Sequence, residues 1–119
     1  MTAYAMANLR PQSAPDEEVL HYIERVQATL DPFGGSFLVH GDTEREIKEG
    51  EWPGDLVLVA FPSMEHARRW YDSAAYQELI PLRARHIPGD ILLIDGVPPG
   101  YDPAQAAARL RAASDPGTA

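Results

Sequence analysis

Three stretches within residues 34–83 decide the fold: GGSFLVHG at 34–41, EGEWPGDLVLVAFPS at 49–63 and EHARRWYDSAAYQELIPLR at 65–83. Gly34-Gly35 closes whatever helix precedes it and opens a strand over residues 36–40. Residues 42–54 carry most of the local charge together with Gly50, Pro53 and Gly54, the composition of a solvated connection. Residues 55–61 (DLVLVAF) are a strand, apolar at consecutive positions and stopped by Pro62. Ser63 then offers a hydroxyl to free helix amides, with Glu65 in the first turn, for a helix to about residue 72. A second helical piece covers 75 to about 84, where Pro81 lacks the N–H of an internal position and is expected to kink or divide it.

Working outward, residues 4–9 (YAMANL) form a first strand. Ser13, Pro15 and the acids at 16–18 make a helix entry, in which a hydroxyl caps, proline fits the first turn and the acids favour the positive end. Val19, Ile23, Val26 and Leu30 follow as an apolar helix stripe, ended by Asp31-Pro32. Ile91-Leu92-Leu93-Ile94 is a fourth strand. Asp102-Pro103 opens an Ala/Arg-rich helix to about residue 113, and residues 114–119 are expected to fray. The order is β-α-β-β-α-β, an α+β ferredoxin-like arrangement with four antiparallel strands and both helices on one face. Residues 1–100 are the domain, and 101–119 an added helix and tail. A sheet with one wet face alternates apolar and polar residues, yet strands three and four do not. The face away from the helices therefore needs cover as well, most simply a second copy, so a homodimer joined through its sheets is expected.

At 119 residues the chain is one domain, and its 45% hydrophobic content is enough for a core. A net charge of −8 argues against nucleic-acid binding, which needs a basic patch. The absence of cysteine excludes disulfides, thiolate catalysis and zinc–thiolate sites. No apolar run approaches the roughly 20 residues of a membrane helix, and the N-terminus has no secretory pattern, so a cytoplasmic location is the default. No GxGxxG, Walker loop, HExxH or GxSxG occurs, and no cofactor is expected.

The set GGxFLVxG, EGxW, Phe61-Pro62-Ser63, Trp70-Tyr71, Tyr76-Gln77 and Pro81-Leu82-Arg83, closed by a strand and Gly96, resembles the domain of unknown function 1330 family over roughly residues 4–96. The resemblance implies a dimeric α/β barrel. That superfamily fold is shared by cofactor-free quinone-forming monooxygenases, haem-degrading enzymes, muconolactone isomerases and stress-responsive barrel proteins, so the fold by itself names no reaction. It brings no agreed catalytic residues. Ala74-Ala75 stands where the pattern leads one to expect proline, which implies a softer turn between the two helical pieces.

His40, Tyr76 and Arg83 are the candidates for chemistry. Alternation puts Ser36, Leu38 and His40 on one strand face and Phe37 and Val39 on the other, so His40 either lines a pocket as base or anchor, or bonds a loop. Arg83 is a fixed-charge fork suited to a carboxylate or enolate, or else a structural ion pair with Asp55 or Asp95. Trp70 and Phe61 are candidate ligand contacts, with Tyr76 and Trp70 as an aromatic wall or as core, and Tyr71 as core. Trp52 is read as cover for a sheet or dimer edge. His21 and Glu24, three apart, are an exposed pair rather than a metal site, and His66 and His86 are read as surface. Two functions follow: a small-molecule-binding barrel running cofactor-independent oxidation or isomerisation of a small aromatic or polyketide-like compound, or a non-catalytic structural or regulatory homodimer.

Overall fold

The computed structural model describes residues 1–41 and 43–114. Strands β1 (Ala3–Leu9), β2 (Ser36–His40), β3 (Asp55–Phe61) and β4 (Gly89–Asp95) form one antiparallel sheet in the order β2-β3-β1-β4. Helices α1 (Glu17–Leu30), α2 (Met64–Asp72) and α3 (Ala74–Ala84) cover one face, and α4 (Pro103–Ala113) follows β4. This is the ferredoxin-like α+β arrangement. No helix among the described residues is long and apolar enough to cross a membrane.

Local chemistry corrects several expected boundaries. The cap of α1 is Asp16, whose Oδ1 accepts from the Glu18 amide at 2.9 Å, so Ser13 and Pro15 lie ahead of the helix rather than in its first turn. A carboxylate is well suited to that end, since it meets both a free amide and the positive end of the helix dipole. Pro81 sits inside an uninterrupted α3. The joint between α2 and α3 is one residue: Ser73 Oγ donates to the Trp70 carbonyl at 2.7 Å and accepts from the Tyr76 amide at 3.3 Å. A single serine thus ends one helix and starts the next without the proline.

At the α1–β2 turn, Gly34 takes a positive φ of 70°, and a Cβ on Gly35 would meet Leu30 and Phe61 at 2.8 Å. Both glycines are therefore required for β2 to fold back under α1. The core beneath the helices contains Val26, Leu30, Val59, Phe61, Trp70, Tyr76 and Leu79. Helix α4 is exposed along its length, with Leu110 71% accessible. The Cα radius of gyration, 17.9 Å, exceeds the roughly 13.5 Å of a compact chain this long, because α4 stands off the body. Residues 115–119, most of the tail expected to fray, lie outside the described residues.

The pairing of β2 overturns the strict alternation expected there. Phe37 faces Val59 but Val39 faces Leu58, so one extra residue enters β2 between them. A bulge of this kind resets which side each later residue faces. His40 therefore pairs with Val57 and joins Phe37 on the helix side, the two rings stacking at 4.6 Å. Leu38 is left exposed.

Candidate functional site

A cavity of about 630 Å³ lies between α1, α3 and the sheet. Its floor comes from β1, where Ala5 and Ala7 face the helices between Val57, Val59 and Ile91. Small side chains on the central strand leave space that a valine or leucine would fill. The volume falls in the range of roughly 300–1,000 Å³ typical of small-molecule pockets.

Trp70 and Tyr76 form one wall, with ring centroids 4.1 Å apart. Each is core and cavity lining at once: Tyr76 is fully buried, while Trp70 Nε1 donates to Thr29 Oγ1 at 3.0 Å. Tyr22 of α1 completes the wall, and its phenol shares a 2.8 Å hydrogen bond with that of Tyr76. Burial first, and then the Tyr22 phenol, push the Tyr76 hydroxyl well above the ordinary phenol range, with Arg83 pulling the other way. At neutral pH Tyr76 is thus a neutral hydrogen-bonding group, not a base.

Arg83 lines the same cavity and is only 7% accessible. Its guanidinium carbon lies 5.4 Å from the centroid of the Tyr22 ring. Burial opposes its charge, but the Tyr76 and Tyr22 phenols more than offset that, so it stays protonated. Neither Asp55 nor Asp95 pairs with it: no carboxylate of the described residues lies within ion-pair distance, and Arg83 Nε is buried without a hydrogen-bond partner.

The mouth is polar. His40, exposed at the end of β2, lines it on one side. On the other stand Asp16 and His86, both of which line the cavity. His86 Nε2 lies 2.8 Å from Glu18 Oε1 and 3.5 Å from Asp16 Oδ1, and Arg85 Nη1 donates to Glu18 Oε2 at 3.0 Å. His86 is therefore half-buried in a clamp between α1 and the end of α3, not a free surface histidine. Ligand atoms of Asp16, Glu18 and His86 lie within 4.8 Å of one another. Each is already engaged, Asp16 in capping α1 and Glu18 in bonds to His86 and Arg85, so the cluster is accounted for as a structural clamp.

The structure thus brings His40, Trp70, Tyr76 and Arg83 to one cavity. Phe61 is not on its surface but packs behind Trp70, with centroids 5.4 Å apart. Tyr71 packs beside Tyr76 at 5.6 Å. His21 pairs with Glu17 at 3.2 Å, and His66 with its cap Ser63 at 2.6 Å. Trp52 is half exposed on the β2–β3 connection. Two contributors escaped the sequence reading. Tyr22 lies three residues after Val19 and four before Val26, on the apolar stripe, while Ile23, counted in that stripe, is 43% accessible. Phe37, which precedes the bulge, faces Val59 on the helix side, and the bulge is what brings His40 to the same face.

The family model for the domain of unknown function DUF1330 matches residues 2–97, and the chain belongs to that family. No curated protein matches it. Among solved structures, a protein of unknown function from Rhodopseudomonas palustris is 12% identical with a TM-score of 0.59, over 82% of this chain and 84% of that one. SnoaB, a cofactor-independent oxygenase from Streptomyces nogalater, is 14% identical with a TM-score of 0.54, over 85% and 98%. A dimeric ferredoxin-like protein of unknown function from Thermobifida fusca is 13% identical with a TM-score of 0.53, over 81% and 92%. At these identities the likeness is one of fold.

Proposed function

We propose that this DUF1330 protein is a small-molecule-binding homodimer, each protomer holding a flat, largely apolar molecule between its helices and its sheet. The observation that carries the reading is the 630 Å³ cavity with Arg83 and the Tyr22–Tyr76 pair on its wall. A space of that size lined largely by apolar side chains leaves apolar surface facing solvent that a ligand would cover. The alanine floor and aromatic wall suit a ring system, and His40 at the mouth and Arg83 inside supply polar anchors.

The activity to assay first is cofactor-independent oxygenation or isomerisation of a small aromatic or polyketide-like compound. The fold shared with a cofactor-independent oxygenase favours that choice. In it His40 takes a proton at the mouth, Tyr76 donates a hydrogen bond as a neutral phenol, and Arg83 holds an anionic group of the substrate. The dimer is proposed to form through the open face of the sheet, where Tyr4, Met6, Leu58, Leu92 and Ile94 lie together.

The binding test uses Trp70 as the reporter, in a Trp52→Phe variant that removes the exposed tryptophan. Neutral one-, two- and three-ring aromatic compounds are titrated and emission followed. A saturable change with one site per protomer is expected for compounds that fit. A flat response across the whole series moves the reading to the non-catalytic structural or regulatory dimer.

A further inference from the structure

Resting on the cavity as a small-molecule site, we propose that its ligand is a planar aromatic or conjugated monocarboxylate whose carboxylate is received by Arg83. Three observations converge on that side chain. Arg83 is 7% accessible, so its charge is largely withdrawn from water. No carboxylate among the described residues pairs with it, and its Nε has no hydrogen-bond partner. It lines a cavity whose other surfaces are mostly apolar, aliphatic side chains together with the rings of Tyr22, Phe37, Trp70 and Tyr76.

A guanidinium does not relieve this position by losing its proton, because its pKa is above about 12. Buried charges in folded proteins are otherwise paired, and here the chain supplies no partner. An anion brought by the ligand supplies one. The centroid of the Tyr22 ring lies 5.4 Å from the guanidinium carbon, and the neighbouring Tyr22 and Tyr76 phenols are neutral groups that leave its charge uncompensated and its Nε without a partner. Parallel N–H groups of the planar fork match the two oxygens of a carboxylate, whereas an enolate or phenolate offers a single oxygen.

The rest of the ligand follows from the walls. Trp70, Tyr76 and Tyr22 present rings to a body that is flat and apolar. Its charge is limited to one, because Asp16 and Asp55 also line the cavity and the chain as a whole carries −8. A second carboxylate would meet those acids with no further buried cation among the described residues to receive it.

The experiment compares matched pairs, benzoate with benzamide, 2-naphthoate with 2-naphthamide and 2-anthroate with its amide, by calorimetry at neutral pH. Each pair shares rings and size and differs in charge. The acid is expected to bind at least about ten-fold tighter than its amide in the pair that fits, the scale of a hydrogen bond to a charged group. Arg83→Met is expected to abolish that preference while its melting temperature equals or exceeds that of the parent, since an unpaired buried charge has been removed. Arg83→Lys keeps the charge and loses the fork, and a reduced preference is expected; it serves as the second variant should the methionine form fail to fold. Equal affinity of acid and amide in the parent overturns the carboxylate assignment and leaves the cavity reading standing. A preference that survives in Arg83→Met or exceeds the parent's in Arg83→Lys overturns Arg83 as the receptor. No binding by any acid or amide, together with no response to the neutral ring compounds, overturns both readings.

Discussion

The two faces of the sheet are built from one strand and have opposite deficits. From β1, Ala3, Ala5 and Ala7 turn toward the helices, while Tyr4, Met6 and Asn8 turn away. The helix side has too little side chain to fill its volume, and a cavity results. The other side has too much apolar surface for water: Leu92 and Ile94 are 49% and 46% accessible, beside Tyr4, Met6 and Leu58. In the proposed reading, one deficit is met by a ligand and the other by a partner. The strand's small-large alternation, ordinary in an isolated sheet, would on that proposal separate binding from assembly.

The largest effect is expected from a charge placed on the open face. Leu92→Asp is half exposed in a single protomer, so the isolated fold tolerates it. In a sheet-to-sheet dimer the two-fold axis brings the carboxylate in twice, and each buried unpaired charge costs about 3–5 kcal/mol. Light scattering is expected to show a dimer for the parent and a monomer for the variant, with dimer affinity weakened on the order of 10,000-fold or more. An unchanged mass breaks the comparison, since the open face would then have no partner to lose.

Next comes the opposite operation, adding side chain to the face that lacks it. Ala7→Leu directs three more carbons into the cavity beside Val57 and Ile91. In a packed core such an insertion costs about 1–3 kcal/mol. Here the space exists, and burial of the added carbons favours the fold by up to about 0.8 kcal/mol each. The expected result is an unchanged or higher melting temperature, an unchanged dimer mass and loss of ring-compound binding. Destabilisation by more than about 1 kcal/mol with binding intact would place the ligand elsewhere.

Much of this was legible beforehand. The succession of strands and helices and the helices over one face follow from the apolar runs at 55–61 and 91–94 and from stop signals at Gly34, Pro62 and Asp102. His40, Trp70, Tyr76 and Arg83 were named from residue type and position, and the fold brings them to one cavity. What stayed hidden depends on relations no single run contains. A bulge adds one residue against a partner strand, so the shared face of Phe37 and His40 cannot be read from β2 alone. A cavity is missing volume, and the only trace of it was the alanine at every second position of β1. The Glu18–His86 contact joins residues 68 apart in the chain, which local charge patterns do not report.

The smallest effect concerns that contact, which ties α1 to the end of α3 at the cavity mouth. Glu18 is held below the usual carboxylate range chiefly by its hydrogen bond to His86; partial burial opposes this, Arg85 and the charge of His86 add to it, and Asp16 opposes it. A carboxylate whose folded pKa lies below its unfolded value contributes stability above the unfolded value. That contribution is lost as pH falls through the folded one. Stability measured by denaturant from pH 7 down to 3 is therefore expected to decline below about 4.5 more steeply in the parent than in Glu18→Gln. The two curves converge in acid, and the difference shrinks further in salt, because the pair is open to solvent. Ring-compound binding at pH 7 should barely change in this variant, since the walls of the cavity are untouched. Parallel curves would show that the clamp adds nothing to folding, leaving the mouth held by the packing of α1 on α3 alone.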